Sequence, residues 1–395
     1  MRTHRLLALL AVPVVAVAAT LVTAGSGATI EDLPAPALLG PDRVAPADEV
    51  PWDRVGDGWY LAAVDRGPRV GSGWIRPRHQ LLQLVNPRGG RYTMLTTTVR
   101  HGRGLFRLVD WSLDAKVALL TYDIDMHHFR TVALDLQTGQ RRQVVLPSSV
   151  AGVALRPDGA GVVATTYGDG AADSRELLAI DWSGQQRVVF RGVGGNVVLS
   201  PDGNRAVTGP TTAQGSALRV IDTATGEVDS EVATPTTCDP YRWWAPGVVA
   251  ARCWGDHQSL QIWAIPLDGS AATQLSTYHG RHSDDLGDLD ARVLGGRTYL
   301  QASGPCGYVF LARQESDGSA SPVDVPAGGG SVYLVDATHD ALVLQHDVTC
   351  DGGSTRSVLT HFDPATGTER SMARLPLREA FARVLVFGER PVLGF

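Results

Sequence analysis

The pentapeptide "LRPDG" at residues 155–159 returns as "LSPDG" at residues 199–203, starting 44 residues later and changed at one position. Each copy follows an apolar run and is followed by a short apolar run of its own. Pro157 presets φ for the first turn position, Asp158 can bond its own backbone, and Gly159 accepts the positive φ that closes the turn. The stretch therefore reads as strand, tight turn, strand, written twice at one interval. Turn chemistry explains it without any ligand.

A second element recurs between these turns. "DLQTG" stands at residues 135–139, "DTATG" at 222–226 and "DPATG" at 363–367, with weaker forms "NPRGG" from Asn86, "DWSG" from Asp181, "PLDG" from Pro266 and "ESDG" from Glu315. The starts at 86, 135, 181, 222, 266, 315 and 363 lie 41 to 49 residues apart. Even spacing over this many copies marks a repeat architecture. Within one copy, residues 153–192 read as four short β-branched strands: "VAL", "GVVATTY", "ELLAID" and "QRVVF". One such sheet cannot bury both faces, but a ring of them can, and about 45 residues per four-stranded unit is the blade period of a β-propeller.

The expected fold is therefore all-β: a seven-bladed β-propeller of four-stranded antiparallel blades over residues 51–395, with six or eight blades as the alternatives. Blade one has clear middle strands, "GWYLAAV" from Gly58 and "LLQLV" from Leu81, but no clear inner strand before them. The last segment, "ARVLVFGERPVLGF" from Ala382, looks like an inner strand without its blade. The simplest closure lets it complete blade one and remove the open edge.

Composition agrees and excludes some functions. The 395 residues include 44 Gly and 23 Pro with 7% aromatics, which favours turns over long helices. Lys and Arg total 35 against 41 Asp and Glu, and only Lys116 is a lysine. An acidic balance is poor for gripping a phosphate backbone, so nucleic acid is not an expected partner. Residues 1–28 carry a basic start (Arg2, Arg5), an uncharged apolar run from Leu6 to Val22 and small residues from Ala24 to Ala28, as a cleaved signal peptide or a retained N-terminal membrane anchor would. Residues 29–50, with Pro34, Pro36, Pro41 and Pro46, read as a stiff linker. The expected location is extracytoplasmic, secreted or anchored by this segment.

The "PDG" turns and the "D-x-x-TG" hairpins together resemble the propeller repeats of TolB-type periplasmic proteins and of WD-repeat-like exported proteins of actinobacteria. The resemblance spans roughly residues 51–395 and implies a propeller in the cell envelope. TolB-type proteins also carry an α/β domain ahead of the propeller, and residues 29–50 leave no room for one.

Ligands usually bind at the propeller face opposite these turns, where loops are free to vary. Those loops are rich in His and Asp. Blade two has "YDIDMHHF" with His127 and His128, blade five "WGDHQ" with Asp256 and His257, and blade seven "QHDVTCD" with His346 and Asp347. The link from blade five to six, "YHGRHSDDLGDLD", holds His279, His282, Asp284 and Asp285, and then Asp288 and Asp290. Their spacing matches no tight metal motif, so a metal is not expected. The expected role is a binding or interaction scaffold without enzymatic activity, taking an envelope protein, peptide or glycan on this face, as a monomer and without a cofactor. No Gly-x-Ser-x-Gly elbow and no phosphate loop occurs. A hydrolase or lyase using rim carboxylates on a sugar or lactone is the alternative. A quinoprotein is a weaker one, because "ALDLQTG" from Ala133 lacks the docking Trp and has Gln143 there.

The four cysteines are expected to pair as Cys238 with Cys253 and Cys306 with Cys350. An exported chain meets oxidising conditions, and no Cys-x-x-Cys suggests zinc. "CDPYRWWAPGVVAARC", folded as a hairpin about Ala245 and Pro246, sets Cys238 opposite Cys253, while Cys306 and Cys350 take equivalent loops of neighbouring blades.

Overall fold

The computed structural model describes residues 38–70, 74–100, 104–125, 127–168, 174–210, 216–255, 259–277, 287–304, 309–326, 331–347 and 356–393. The expected export segment lies within residues 1–37, outside them. Among the described residues no helix is long and apolar enough to cross a membrane. The compact unit begins at Leu38, so the second half of the expected linker joins the domain. Val44–Pro46 pairs in parallel with Arg91–Thr98 as an added outer strand, and Ala45 and Val50 are buried beneath.

The fold is an all-β propeller built from four-stranded antiparallel blades. Among the described residues, five sheets have four or five strands and one has eight. The second sheet (Phe106–Trp111, Val117–Asp123, His128–Asp135, Arg141–Pro147) and the third (Val150–Leu155, Gly161–Thr166, Glu176–Asp181, Gln186–Arg191) are simple meanders. The eight-stranded sheet consists of two antiparallel groups, Cys238–Pro266 and Gly287–Pro322, joined through the single bridge between Leu260 and Gly287. Glu379–Val386 pairs antiparallel with Tyr60–Arg66 and is the innermost strand of the first sheet, so the last long strand among the described residues completes the sheet that Val44–Pro46 opens. This covers an edge that would otherwise be open.

Apolar residues alternate along the strands and fill the layers between neighbouring sheets. Trp59, Leu61, Leu82 and Leu84 pack with Phe106, Leu108, Trp111 and Leu120 between the first and second sheets. Leu119, Val144 and Leu146 pack with Val153, Leu155, Val162 and Ile180 between the second and third. The repeated turns form as their residues dictate. Gly159 has φ 67° and Gly203 φ 69°. A Cβ on Gly203 would meet Pro157 Cγ at 1.9 Å, so the two "PDG" turns lie directly against each other in neighbouring sheets. Asp222 Oδ1 accepts the amides of Ala224 and Thr225 at 2.8 Å each, and the Thr225 amide helps to hold this carboxyl below its usual pKa.

The hairpin of Cys238–Ala245 and Val248–Trp254 places Cys238 opposite Cys253, with a disulfide between them and Cα atoms 4.0 Å apart. Its turn falls one residue later than expected, on Pro246 and Gly247, because Gly247 takes φ 71°. Two register shifts, between Pro240 and Arg242 and between Trp243 and Ala245, absorb the difference. Cys306 and Cys350 lie outside the described residues.

Candidate functional site

The inner strands of three sheets carry an aspartate at the same structural position. Asp110, Asp290 and Asp336 each follow a register shift, and each carboxylate accepts the amide of the next residue at 2.8 Å. An extra residue at a bulge re-aims the side chain beside it, and Asp110 and Asp290 line a central cavity of about 570 Å³. Sequence reading noted Asp290 as a loop residue and missed the other two. The signal was a carboxylate near the end of an apolar inner strand, in "LVDWS", "LDARV" and "LVDAT".

Arginines answer these acids. Arg242 Nη1 lies 3.0 Å from Asp290 Oδ1, and Arg242 Nη2 donates to Ala291 O at 2.5 Å. Arg292 pairs with Asp290 at 3.6 Å, with Glu389, and with the carbonyl of Val335 at 2.7 Å. Burial alone would lower the pKa of Arg292, but Asp290 and Glu389 raise it above the ordinary arginine range. Burial pushes the carboxyl of Asp336 up in pKa, and Tyr60 OH donates to it at 3.4 Å.

The C-terminal segment lines this cavity. After Val386 the chain turns at Gly388 (φ 83°), and Val392–Leu393 pairs antiparallel with Gly194–Leu199, the inner strand of the fourth sheet. Arg390 reaches Asp110 at 3.1 Å and also donates to Leu155 O, at the ends of the inner strands of the second and third sheets. Glu389 meets Arg292 and, at 3.8 Å, Arg242. A segment of seven residues thus crosses from the first sheet to the fourth and ties in the inner strands around it.

A second space of about 410 Å³, the mouth, lies beside the central cavity between the second and third sheets. Arg383, Val109, Pro391 and Val392 line both spaces. The mouth carries Arg107, paired with Asp123 at 3.0 Å, and His128, whose Nδ1 lies 3.2 Å from Asp125 Oδ1. Asp125 also accepts the amides of His127 and His128 at 2.7 and 2.8 Å, and its pKa is lowered, first by the His127 amide. Tyr167, 49% exposed, lies at the rim. Arg383 stands apart from the other arginines: among the described residues its guanidinium makes no hydrogen bond or ion pair. The residue is exposed, yet the protein around its guanidinium lowers its pKa by desolvation, and Asp110 opposes that shift.

Of the residues expected on the ligand face, His128 lines the mouth and His127 stacks edge-on beside it, ring centroids 6.5 Å apart. Asp256, His257, His279, His282, Asp284 and Asp285 lie outside the described residues. Asp347 ends the strand Leu342–Asp347 with its backbone opposite Ser331. His346 corrects the expectation of a rim histidine. It is 4% exposed inside the last sheet, with Nε2 2.5 Å from Glu369 Oε1 and 3.3 Å from Thr360 Oγ1. The pairing with Glu369, on another strand, draws it inward. Among the described residues no group of three or more His, Cys, Asp or Glu side chains is placed to hold a metal.

No protein-family model matches the chain, and no curated protein matches it. Solved structures do. A prolyl endopeptidase matches 82% of this chain and 50% of its own at 13% identity and TM-score 0.54. A puromycin hydrolase matches 82% and 52% at 15% identity and TM-score 0.48. TolB from Acinetobacter baumannii matches 88% and 86% at 12% identity and TM-score 0.40. The chain thus resembles TolB proteins and other β-propeller proteins, and spans about half the length of the two hydrolytic chains. The expectation of a chain without enzymatic activity is corrected by the first match, because peptidases carry this fold too. At this identity the likeness shows the fold alone.

Proposed function

We propose that this chain is a ligand-binding propeller of the cell envelope, whose ligand enters the channel from the face carrying His127 and His128. One observation carries the reading: the mouth and the central cavity share Arg383, Val109, Pro391 and Val392 in their walls, and the C-terminal segment is held in the cavity by Arg390 on Asp110. Both spaces are lined by polar and charged side chains beside shorter apolar stretches, and a concave site with convergent polar groups is where a polar ligand binds. The two halves of the eight-stranded sheet each have the strand order of a blade, so we count seven blades around this channel. Residues 1–28 support export, by cleavage or by a retained anchor, with an envelope protein, peptide or glycan as the natural ligand.

The test is native mass spectrometry of the purified domain against a library of peptides, oligosaccharides and small polar molecules. It is repeated with His128→Ala and Arg107→Ala, which leave the core intact. Binding that weakens in both variants supports the site. Binding that both variants retain at full strength places the ligand elsewhere.

A further inference from the structure

We infer that the mouth takes a carboxylate, held by Arg383, with an apolar body resting on the walls around it. This rests on the reading of the channel as the ligand site and names the chemistry that site selects.

Arg383 carries the inference. Each of the other charged groups lining the two spaces already has a partner: Arg390 with Asp110, Arg242 and Arg292 with Asp290 and Glu389, Arg107 with Asp123, and His128 with Asp125. Asp336, beside Arg292, accepts from Tyr60. Arg383 is in the middle of the inner strand Glu379–Val386, at the junction of both spaces. A guanidinium offers five donors in a fixed fork that matches a carboxylate, and such charge-assisted pairs are stronger than neutral ones. Next to it the mouth has a patch of apolar wall, Val109, Val150, Val153, Pro391 and Val392, with Tyr167 at the rim, while Arg107, Asp123, His128 and Ser148 make the rest of its lining polar. The same chemistry is presented by a free organic acid and by the C-terminus of a peptide. The volume of about 410 Å³ admits one ring or short chain beyond the charged group.

Isothermal titration calorimetry of the whole domain tests this with benzoate, hexanoate and benzamide. A second arm uses the peptide Ala-Ala-Phe with a free or an amidated C-terminus. Binding of the acids with none of benzamide, weakened roughly tenfold or more in Arg383→Gln and partly restored in Arg383→Lys, is the expected result. Unchanged melting temperatures establish that the variants fold. Free peptide bound more tightly than the small acids identifies a peptide terminus as the source, and the reverse order a small acid. If benzamide binds as well as benzoate, or Arg383→Gln binds the acids unchanged, the carboxylate assignment is overturned and the channel remains a binding site. If no probe binds here while another ligand binds elsewhere, both readings fail.

Discussion

Arg390 Nη1 lies 3.1 Å from Asp110 Oδ2, both side chains almost wholly buried and 280 residues apart in the chain. Asp110 also accepts the amides of Trp111 and Leu155, at 2.8 and 2.7 Å, so one carboxylate joins the last segment to the second and third sheets. Burial alone pushes its pKa up, and Arg390 opposes that shift. Removing one member of a buried pair strands the other charge, which costs about 3–5 kcal/mol. Asp110→Asn should therefore lower the stability of the domain by about that amount in urea unfolding. A change within experimental error would show that the C-terminal segment is not held as described.

The two "PDG" turns make a sharper test of the repeat. A residue other than glycine at positive φ costs roughly 1–3 kcal/mol. Gly203→Ala adds a clash with Pro157 to that strain, whereas Gly139, at φ 73°, has nothing within 4 Å of the position a Cβ would take. Gly203→Ala should destabilise clearly more than Gly139→Ala. Equal losses would mean that neighbouring turns do not touch.

His361 gives a pH dependence of known sign. Burial first, and Arg370 second, lower its pKa below 6.5, while Asp340 opposes them. Arg370 Nη2 donates to its Nδ1 at 2.8 Å. The folded chain then binds fewer protons than the unfolded chain in the window below 6.5, so stability is present above that pH and is lost as pH falls through the window. The melting temperature should drop from pH 7 to pH 5, and His361→Gln should flatten that drop. A variant with the parent's full slope would remove His361 as the cause.

Cys238 and Cys253 close a loop with a sequence separation of 15, which stabilises by about 3 kcal/mol in the chain-entropy model. Peptide mapping of unreduced, exported protein should recover Cys238 linked to Cys253, and Cys253→Ser should lower the unfolding midpoint. Cys306 joined to Cys350 is the matching expectation for the other pair. A Cys253 to Cys306 link would contradict both.

What the sequence made legible was local. The interval between "LRPDG" and "LSPDG" showed the repeat because each turn is decided by three neighbouring residues, and Pro157 against Gly203 shows the copies side by side. The apolar strand around Ala382 showed the closure for the same reason. The site was less legible because its contacts are long-range. His346 looked like a loop residue until Glu369 was placed beside it on another strand. Arg383 and Arg390 carry no local signal, since nothing near them in sequence announces Asp110. His128 was found because a polar loop between two strands is a local signal.

The account stands most directly on where a ligand sits. Crystals of the domain soaked in para-bromobenzoate would show the bromine by its anomalous scattering. The account predicts one site in the mouth, with the carboxylate on Arg383 and the ring between Val109 and Tyr167. Bromine found instead at another single site, or at scattered surface positions with the mouth empty, would contradict it.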